Sequence, residues 1–198
     1  MYRIPLGPTQ MQGKIKKTKS SDRNSNTLWE ETIAESKVII IRNLETQTKL
    51  TMICFCNIPH SQKSICLALY TLSLDDVKNA LTRAKCRGVQ IRIITTEESM
   101  KNLSRDFTRL STSGIAIRFP LHGTERLLHH KLCIIDGEDR NCKQSRQSVP
   151  VLLSGSMNWT MSSFTSNWDN ITIDSDYDVV KKSQREFDSM WDSFNRLK

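Results

Sequence analysis

His129-His130-Lys131-Leu132-Cys133-Ile134-Ile135-Asp136, with the later Gly155-Ser156-Met157-Asn158-Trp159-Thr160, decides how this chain is read. Lys131 to Ile135 is a short apolar run of strand type, and side chains two apart in a strand point to one face. His129 and Lys131 therefore project together, while His130 and Leu132 go the other way. Residues 151–154, Val-Leu-Leu-Ser, read as a second strand. It delivers Ser156 and Asn158 from its end, on a turn where hydroxyl, amide and the Gly155 backbone can bind phosphate oxygens. An imidazole is a nucleophile or proton carrier near neutral pH, and an ammonium beside it neutralises charge on phosphoryl oxygens. Asp136, just past its strand, is read as a buttress for the loop. A lone His-x-Lys is usually an exposed strand end and a lone Gly-Ser usually a turn. Their joint occurrence on neighbouring strands, with an Asn two after the Ser, is hard to obtain by chance.

The rest of the chain fits one α/β domain, and 198 residues suffice for a proper core. Strands are expected at Lys37 to Ile41, Ile65 to Leu72, Val89 to Thr95, Ile115 to Phe119 and Asp169 to Ile173. A helix over Leu74 to Lys85, closed by Gly88, carries Leu74, Val77, Ala80, Leu81 and Ala84 on one stripe. A second helix spans Glu97 to Ser111 with Met100, Leu103, Phe107 and Leu110 inward; a third spans Asp176 to Phe194, using Val179, Val180, Phe187, Met190, Trp191 and Phe194. Alternating strands and helices predict a mixed sheet covered on both faces.

The motif resembles the HKD signature of the phospholipase D superfamily, His-x-Lys-x4-Asp followed by Gly-Ser-x-Asn, in a single copy. Single-copy chains of this kind resemble the bacterial Nuc-type endonucleases and the animal Zucchini, or mitochondrial phospholipase D, group. The wording of the motif favours the second. Further similarity runs through Gly88 to Thr95, Ser166 to Ile171 and Phe187 to Phe194, so the resemblance covers residues 50–198. It implies an α/β phospholipase D-like domain over 28–198. Residues 1–27, rich in Lys, Ser, Asn and Gln, are expected to be a disordered basic tail.

Carried over by residue, the resemblance makes His129 the nucleophile that forms a phosphohistidine. The same histidine of a second subunit protonates the leaving oxygen. Lys131, Ser156 and Asn158 hold the phosphate, Asp136 completes the motif, and Asp169, where relatives usually carry Glu, orients the His129 imidazole. Gly155, Arg126 and His130 are the expected substrate contacts. A covalent step of this kind replaces one difficult displacement by two easier ones and requires no cofactor. One motif per chain implies a twofold homodimer with a shared site.

Three features depart from that pattern. Eighteen residues, Gly137 to Ser154, separate Asp136 from Gly155, many more than in relatives. Most of the excess falls in residues 137–150, which read as a polar, solvated hairpin extension. Cys54, Cys56 and His60 have spacing similar to part of a structural zinc site, but residues 1–53 contain no cysteine to serve as the fourth ligand. Either a ligand from elsewhere completes that site, or the segment is a metal-free remnant. Finally, only Ser61 to Ser64 separate His60 from the apolar run Ile65 to Tyr70, where relatives have a helix. A missing helix would expose one face of the sheet unless Leu28 to Ser36 replaces it.

A net charge of +8 favours an anionic partner, single-stranded nucleic acid or anionic phospholipid, without separating them. The resemblance implies an endonuclease on single-stranded RNA precursors of piRNAs first, a cardiolipin hydrolase second. A catalytically silent dimeric nucleic-acid-binding module is the third reading. No run approaches the ~18 apolar residues of a spanning helix. The family location is the mitochondrial outer membrane surface; a chain without an anchor would instead be cytoplasmic.

Overall fold

The computed structural model describes residues 63–120, 128–138 and 149–196, together with the backbone of 37–41. Eight strands form one mixed sheet: β1 (Lys37–Ile41), β2 (Ser64–Leu69), β3 (Gln90–Ile94), β4 (Ala116–Phe119), β5 (Lys131–Ile135), β6 (Val151–Gly155), β7 (Asp169–Asp174) and β8 (Asn195–Arg196). Their order is β1-β7-β6-β5-β2-β3-β4-β8. β2, β3 and β4 run parallel, and every other pairing is antiparallel. Every residue of β2 is buried, as its unbroken apolar run requires of a central strand.

α1 (Asp75–Cys86) carries the parallel crossover from β2 to β3. Asp75 and Asp76 suit the positive end of its dipole. Gly88, at φ 94°, supplies the left-handed turn that ends it. The expected apolar stripe is buried, but so is Lys78, 2 % exposed. A buried ammonium requires partners: Asp75 lies 2.8 Å away, and Asp106 pairs with it from a neighbouring helix.

The single helix expected over Glu97 to Ser111 is two helices, α2 (Glu97–Asn102) and α3 (Ser104–Thr112). Leu103, at φ −117° and ψ 33°, breaks the run between Asn102 and Ser104, residue types that favour caps and turns. Phe107 and Leu110 still face inward, with Met100 and Leu103 partly buried against them. α4 (Met161–Thr165), capped by Thr160, and the two-residue β8 are too short to show periodicity in sequence.

The sheet separates two cores. One lies under α1 and α3 and takes Ile65, Leu67, Cys133, Ile135 and Leu153. The other takes the alternate residues Cys66, Ala68, Leu132, Ile134 and Leu152 beneath α5 (Tyr177–Ser193). The exposed sheet face expected from a missing helix is not seen: Cys66, Ala68 and Ile134 are each 0 % exposed. The reason is α5, whose Val180, Phe187 and Trp191 lie over that face, with Met190 and Phe194 packed against them; Val179, expected inward, is 38 % exposed because the helical turn carries it past the edge of the buried stripe. The guanidinium of Arg92 stacks 5.0 Å from the Phe187 ring and 5.3 Å from Trp191 while pairing with Asp188 and Glu138. The Leu28 to Ser36 replacement, the 1–27 tail and residues 139–148 of the insertion lie outside the described residues.

Asp136 closes the far end of β5. Its carboxylate accepts from the backbone N–H of Lys63 at 2.9 Å and of Ser64 at 3.0 Å, while its own N–H donates to Ser64 O at 2.8 Å. It does so at φ 55°, a conformation that a short polar side chain tolerates better than most. Asp136→Ala should lower folding stability by about 2–3 kcal/mol, because two bonds to a charged acceptor are lost at a buried position. Urea denaturation checks this.

Candidate active site

The antiparallel register brings four strand ends to one edge of the sheet. Leu69 at the end of β2 pairs with Lys131 at the start of β5. Leu132 pairs with Ser154, and Gly155 with Ile171, two residues past Asp169. His129, Lys131, Ser156, Asn158 and Asp169 therefore come from separate stretches of chain to one rim. Asp136 does not belong to that set. Five strand residues at ~3.4 Å each put it roughly 17 Å from Lys131. Its place in the catalytic group is corrected accordingly: the motif spacing spans the whole length of β5, and the aspartate acts as the buttress at the other end.

Gly155 is required by close approach. A Cβ there would lie 2.2 Å from Asn170 O, so only glycine lets β6 and β7 meet at this point. Immediately beyond it, Ser156 N–H donates to Asn170 O at 3.1 Å, and Asn170 N–H donates to Ser156 Oγ at 3.1 Å. The Ser156 hydroxyl donates to Asp169 Oδ1 at 2.7 Å. Met157 and Trp159, 1 % and 2 % exposed, anchor the loop inward. The alternate residues Ser156 and Asn158 are left for the site. Trp159 O accepts from Ser73 N–H at 3.0 Å and from Leu74 N–H at 3.3 Å, tying this loop to the segment after β2.

Asp169 is occupied with Ser156, whereas its sequence-derived role was to orient His129. Its Oδ2, like Asn158 Oδ1, is buried and has no hydrogen-bond partner. Two buried acceptors without donors at one rim are high-energy groups unless a ligand or water supplies the protons. Aspartate is one methylene shorter than the glutamate usual in the resemblance, and its first oxygen reaches the adjacent serine.

Lys131 is 7 % exposed, and its Nζ donates to His129 O at 2.8 Å. Burial pulls its pKa below the ordinary lysine value, and the negative charge of Asp169 opposes that shift. His129 is exposed, as is His130. His130 contributes its carbonyl, which accepts from Tyr70 N–H at 3.1 Å, and alternation turns its side chain away from Lys131.

Tyr70 was not singled out in sequence. Its ring lies 5.7 Å from the His129 ring, tilted by 54°, and Lys131 Nζ sits 5.5 Å over it. Its hydroxyl donates to Glu98 Oε2 at 3.2 Å, which raises the phenol pKa. Tyr70 ends an apolar run in which it looks like one more core residue; no spacing motif connects it to His129. Arg126, Cys54, Cys56 and His60 lie outside the described residues. Among the described residues, no group of three or more His, Cys, Asp or Glu could hold a metal ion.

A family model described as cardiolipin synthase, PLD-like domain, matches residues 55–191. The mitochondrial cardiolipin hydrolase of Drosophila melanogaster is 35 % identical over 139 residues, covering 66 % of this chain and 54 % of the relative. That of Xenopus laevis is 30 % identical over 156 residues, covering 72 % and 68 %. The chain thus spans about half the length of the Drosophila relative. Among solved structures, NucT from Helicobacter pylori superposes with a TM-score of 0.68 at 17 % identity, covering 82 % of this chain and 99 % of that one. Nuc from Salmonella typhimurium, a phospholipase D family member, gives 0.67 at 19 % identity, covering 83 % and 98 %. These two establish likeness of fold, and the family match over residues 55–191 establishes kinship: the chain belongs to the phospholipase D-like family.

Proposed function

We propose that this chain is a phosphodiester hydrolase working through a phosphohistidine, with a phospholipid of the cardiolipin type as substrate. The observation that carries the reading is the convergence of His129, Lys131, Ser156 and Asn158 on one sheet edge. A His129 ring nitrogen attacks phosphorus as the bond to the leaving alcohol breaks. His129 of the partner subunit gives that alkoxide its proton, then takes one from the water that splits the phosphohistidine. Each half-reaction is a displacement, so bonds and protons balance across the pair. Lys131 neutralises charge on the non-bridging oxygens. Ser156, polarised by Asp169, and the Asn158 side chain complete the cradle. Two histidines sharing one phosphate titrate as a coupled pair.

The lipid substrate, ranked second in sequence, is supported by the names of the relatives. It is supported also by the rim: no charged residue occurs from Gln147 to Trp168. Within that stretch Met161 is 64 % exposed and Trp168 80 % exposed. An exposed Trp and an exposed Met on one stretch suit the interfacial layer of a bilayer. Among the described residues no helix is long and apolar enough to cross a membrane. The names of the relatives support a mitochondrial location, which we place at the outer membrane surface. The net charge of +8 suits either anionic substrate, single-stranded RNA included.

Purified protein is to be assayed on cardiolipin vesicles and single-stranded RNA. His129→Asn should lower cardiolipin turnover about a thousandfold or more, as loss of a nucleophile does. Cleavage of RNA with vesicles untouched would replace the lipid substrate by the nucleic acid. Sedimentation should show a dimer; an active strict monomer would remove the shared site. The pH profile supplies a further check. Lys131 loses its proton below the ordinary lysine value, so the basic limb of activity should lie below pH 10.5. Removing the charge of Asp169 removes the influence that raises the Lys131 pKa, so Asp169→Asn should move that limb to lower pH.

A further inference from the structure

The His129 side chain is exposed, and among the described residues no hydrogen bond reaches its ring. An imidazole held by no hydrogen bond has no ring plane of its own, yet attack on phosphorus requires one. Asp169 does not supply it, because its carboxylate accepts from the Ser156 hydroxyl at 2.7 Å. What the His129 ring does meet is Tyr70, with centroids 5.7 Å apart and planes tilted by 54°, inside the range of favourable aromatic pairs. The same phenol ring lies 5.5 Å from Lys131 Nζ, within cation–π distance. One aromatic ring therefore touches both the candidate nucleophile and the ammonium beside it.

Tyr70 is itself clamped. Its N–H donates to His130 O at 3.1 Å, and its carbonyl accepts from the Thr96 hydroxyl at 3.3 Å. Its own hydroxyl donates to Glu98 Oε2 at 3.2 Å. Thr96 is buried and caps α2, accepting from Ser99 N–H at 3.0 Å, and Glu98 stands in the first turn of the same helix. The backbone and the tip of the side chain are thus tied to one element, which leaves the ring little rotational freedom. Its electron-rich face also matters for Lys131. Burial favours the neutral amine there, Asp169 opposes this from β7, and a ring face under the ammonium opposes it from the end of β2. His129, adjacent in the chain, and Glu98, bonded to the phenol, are the other titratable groups around this contact.

We propose that Tyr70 is a positioning residue of this site: its ring, clamped by α2, sets the plane of the His129 imidazole and seats the Lys131 ammonium over its face. The inference rests on the phosphohistidine chemistry proposed above and holds whichever ester is cleaved. Tyr70 acts through His129 and Lys131, and the part of it that acts is the ring; the hydroxyl is a tether.

The test compares wild type, Tyr70→Leu, Tyr70→Phe and a variant carrying pentafluorophenylalanine in place of Tyr70, each as the full chain, on bis(p-nitrophenyl) phosphate and on cardiolipin vesicles. Loss of the ring in Tyr70→Leu should slow the first-turnover release of p-nitrophenol about tenfold or more, with the loss in kcat exceeding any change in KM. The loss should be equal on both substrates, since His129 and Lys131 serve either. Tyr70→Phe keeps the ring and should restore the rate to within about threefold of wild type. Pentafluorophenylalanine has nearly the same shape but an electron-poor face, so it should move the basic limb of activity to lower pH than in Tyr70→Phe. That pair decides the matter even if Tyr70→Leu does not fold. A wild-type rate in folded Tyr70→Leu, a Tyr70→Phe as slow as Tyr70→Leu, a limb that fluorination leaves in place, or a loss confined to vesicles would each overturn the inference and leave the phosphodiesterase reading standing. Wild type that hydrolyses neither substrate would overturn the parent reading and this inference with it.

Discussion

A slip of one residue between β5 and β2 would turn Lys131 toward α5 and put Leu132 in its place, because side chains alternate with period two. The site depends on that register more than on any side-chain contact within it. Two devices hold the rim, the first in this register and the second between β6 and β7. At one end, Asp136 clamps the backbone N–H groups of Lys63 and Ser64, so that β5 cannot move along β2. At the other, Gly155 lets β6 approach Asn170 closely enough for Ser156 to make reciprocal bonds with it.

With the register fixed, the electrostatics of the rim follow. Lys131 is buried yet faces Asp169, so its charge is retained against desolvation by one nearby carboxylate. That carboxylate gives one oxygen to Ser156 and keeps the other buried and unpaired, as does Asn158. A site with a partly desolvated cation and two acceptors awaiting donors is pre-organised for a ligand carrying both negative charge and protons. A phosphodiester approached by water or an alcohol meets that description.

Much of this was legible in the sequence. The apolar runs Lys131 to Ile135 and Val151 to Leu153 are short, bounded and flanked by chemistry, and both are strands. The stripe Val77, Ala80, Leu81, Ala84 faces the core as its spacing predicts. What escaped had no local signal. The interruption at Leu103 arises between residues of mild helix propensity, while the period of Met100, Phe107 and Leu110 runs on across it. Lys78 was hidden in an apolar stripe, because its partner Asp106 is 28 residues away. Asp136 belongs to the sequence motif but stands a strand's length from the chemistry, and Tyr70 stands beside the chemistry but belongs to no motif. Both cases have one cause: strand geometry separates what spacing groups, and pairing joins what spacing separates.

The central claim is that His129 becomes covalently bonded to phosphorus. Rapid acid-free quenching of the reaction, followed by peptide mass spectrometry, tests it most directly. The account predicts a base-stable, acid-labile phosphoryl adduct on His129 that forms within the first turnover and disappears as product accumulates. Turnover at full rate with no adduct on His129, or with the adduct on any other residue, would contradict it.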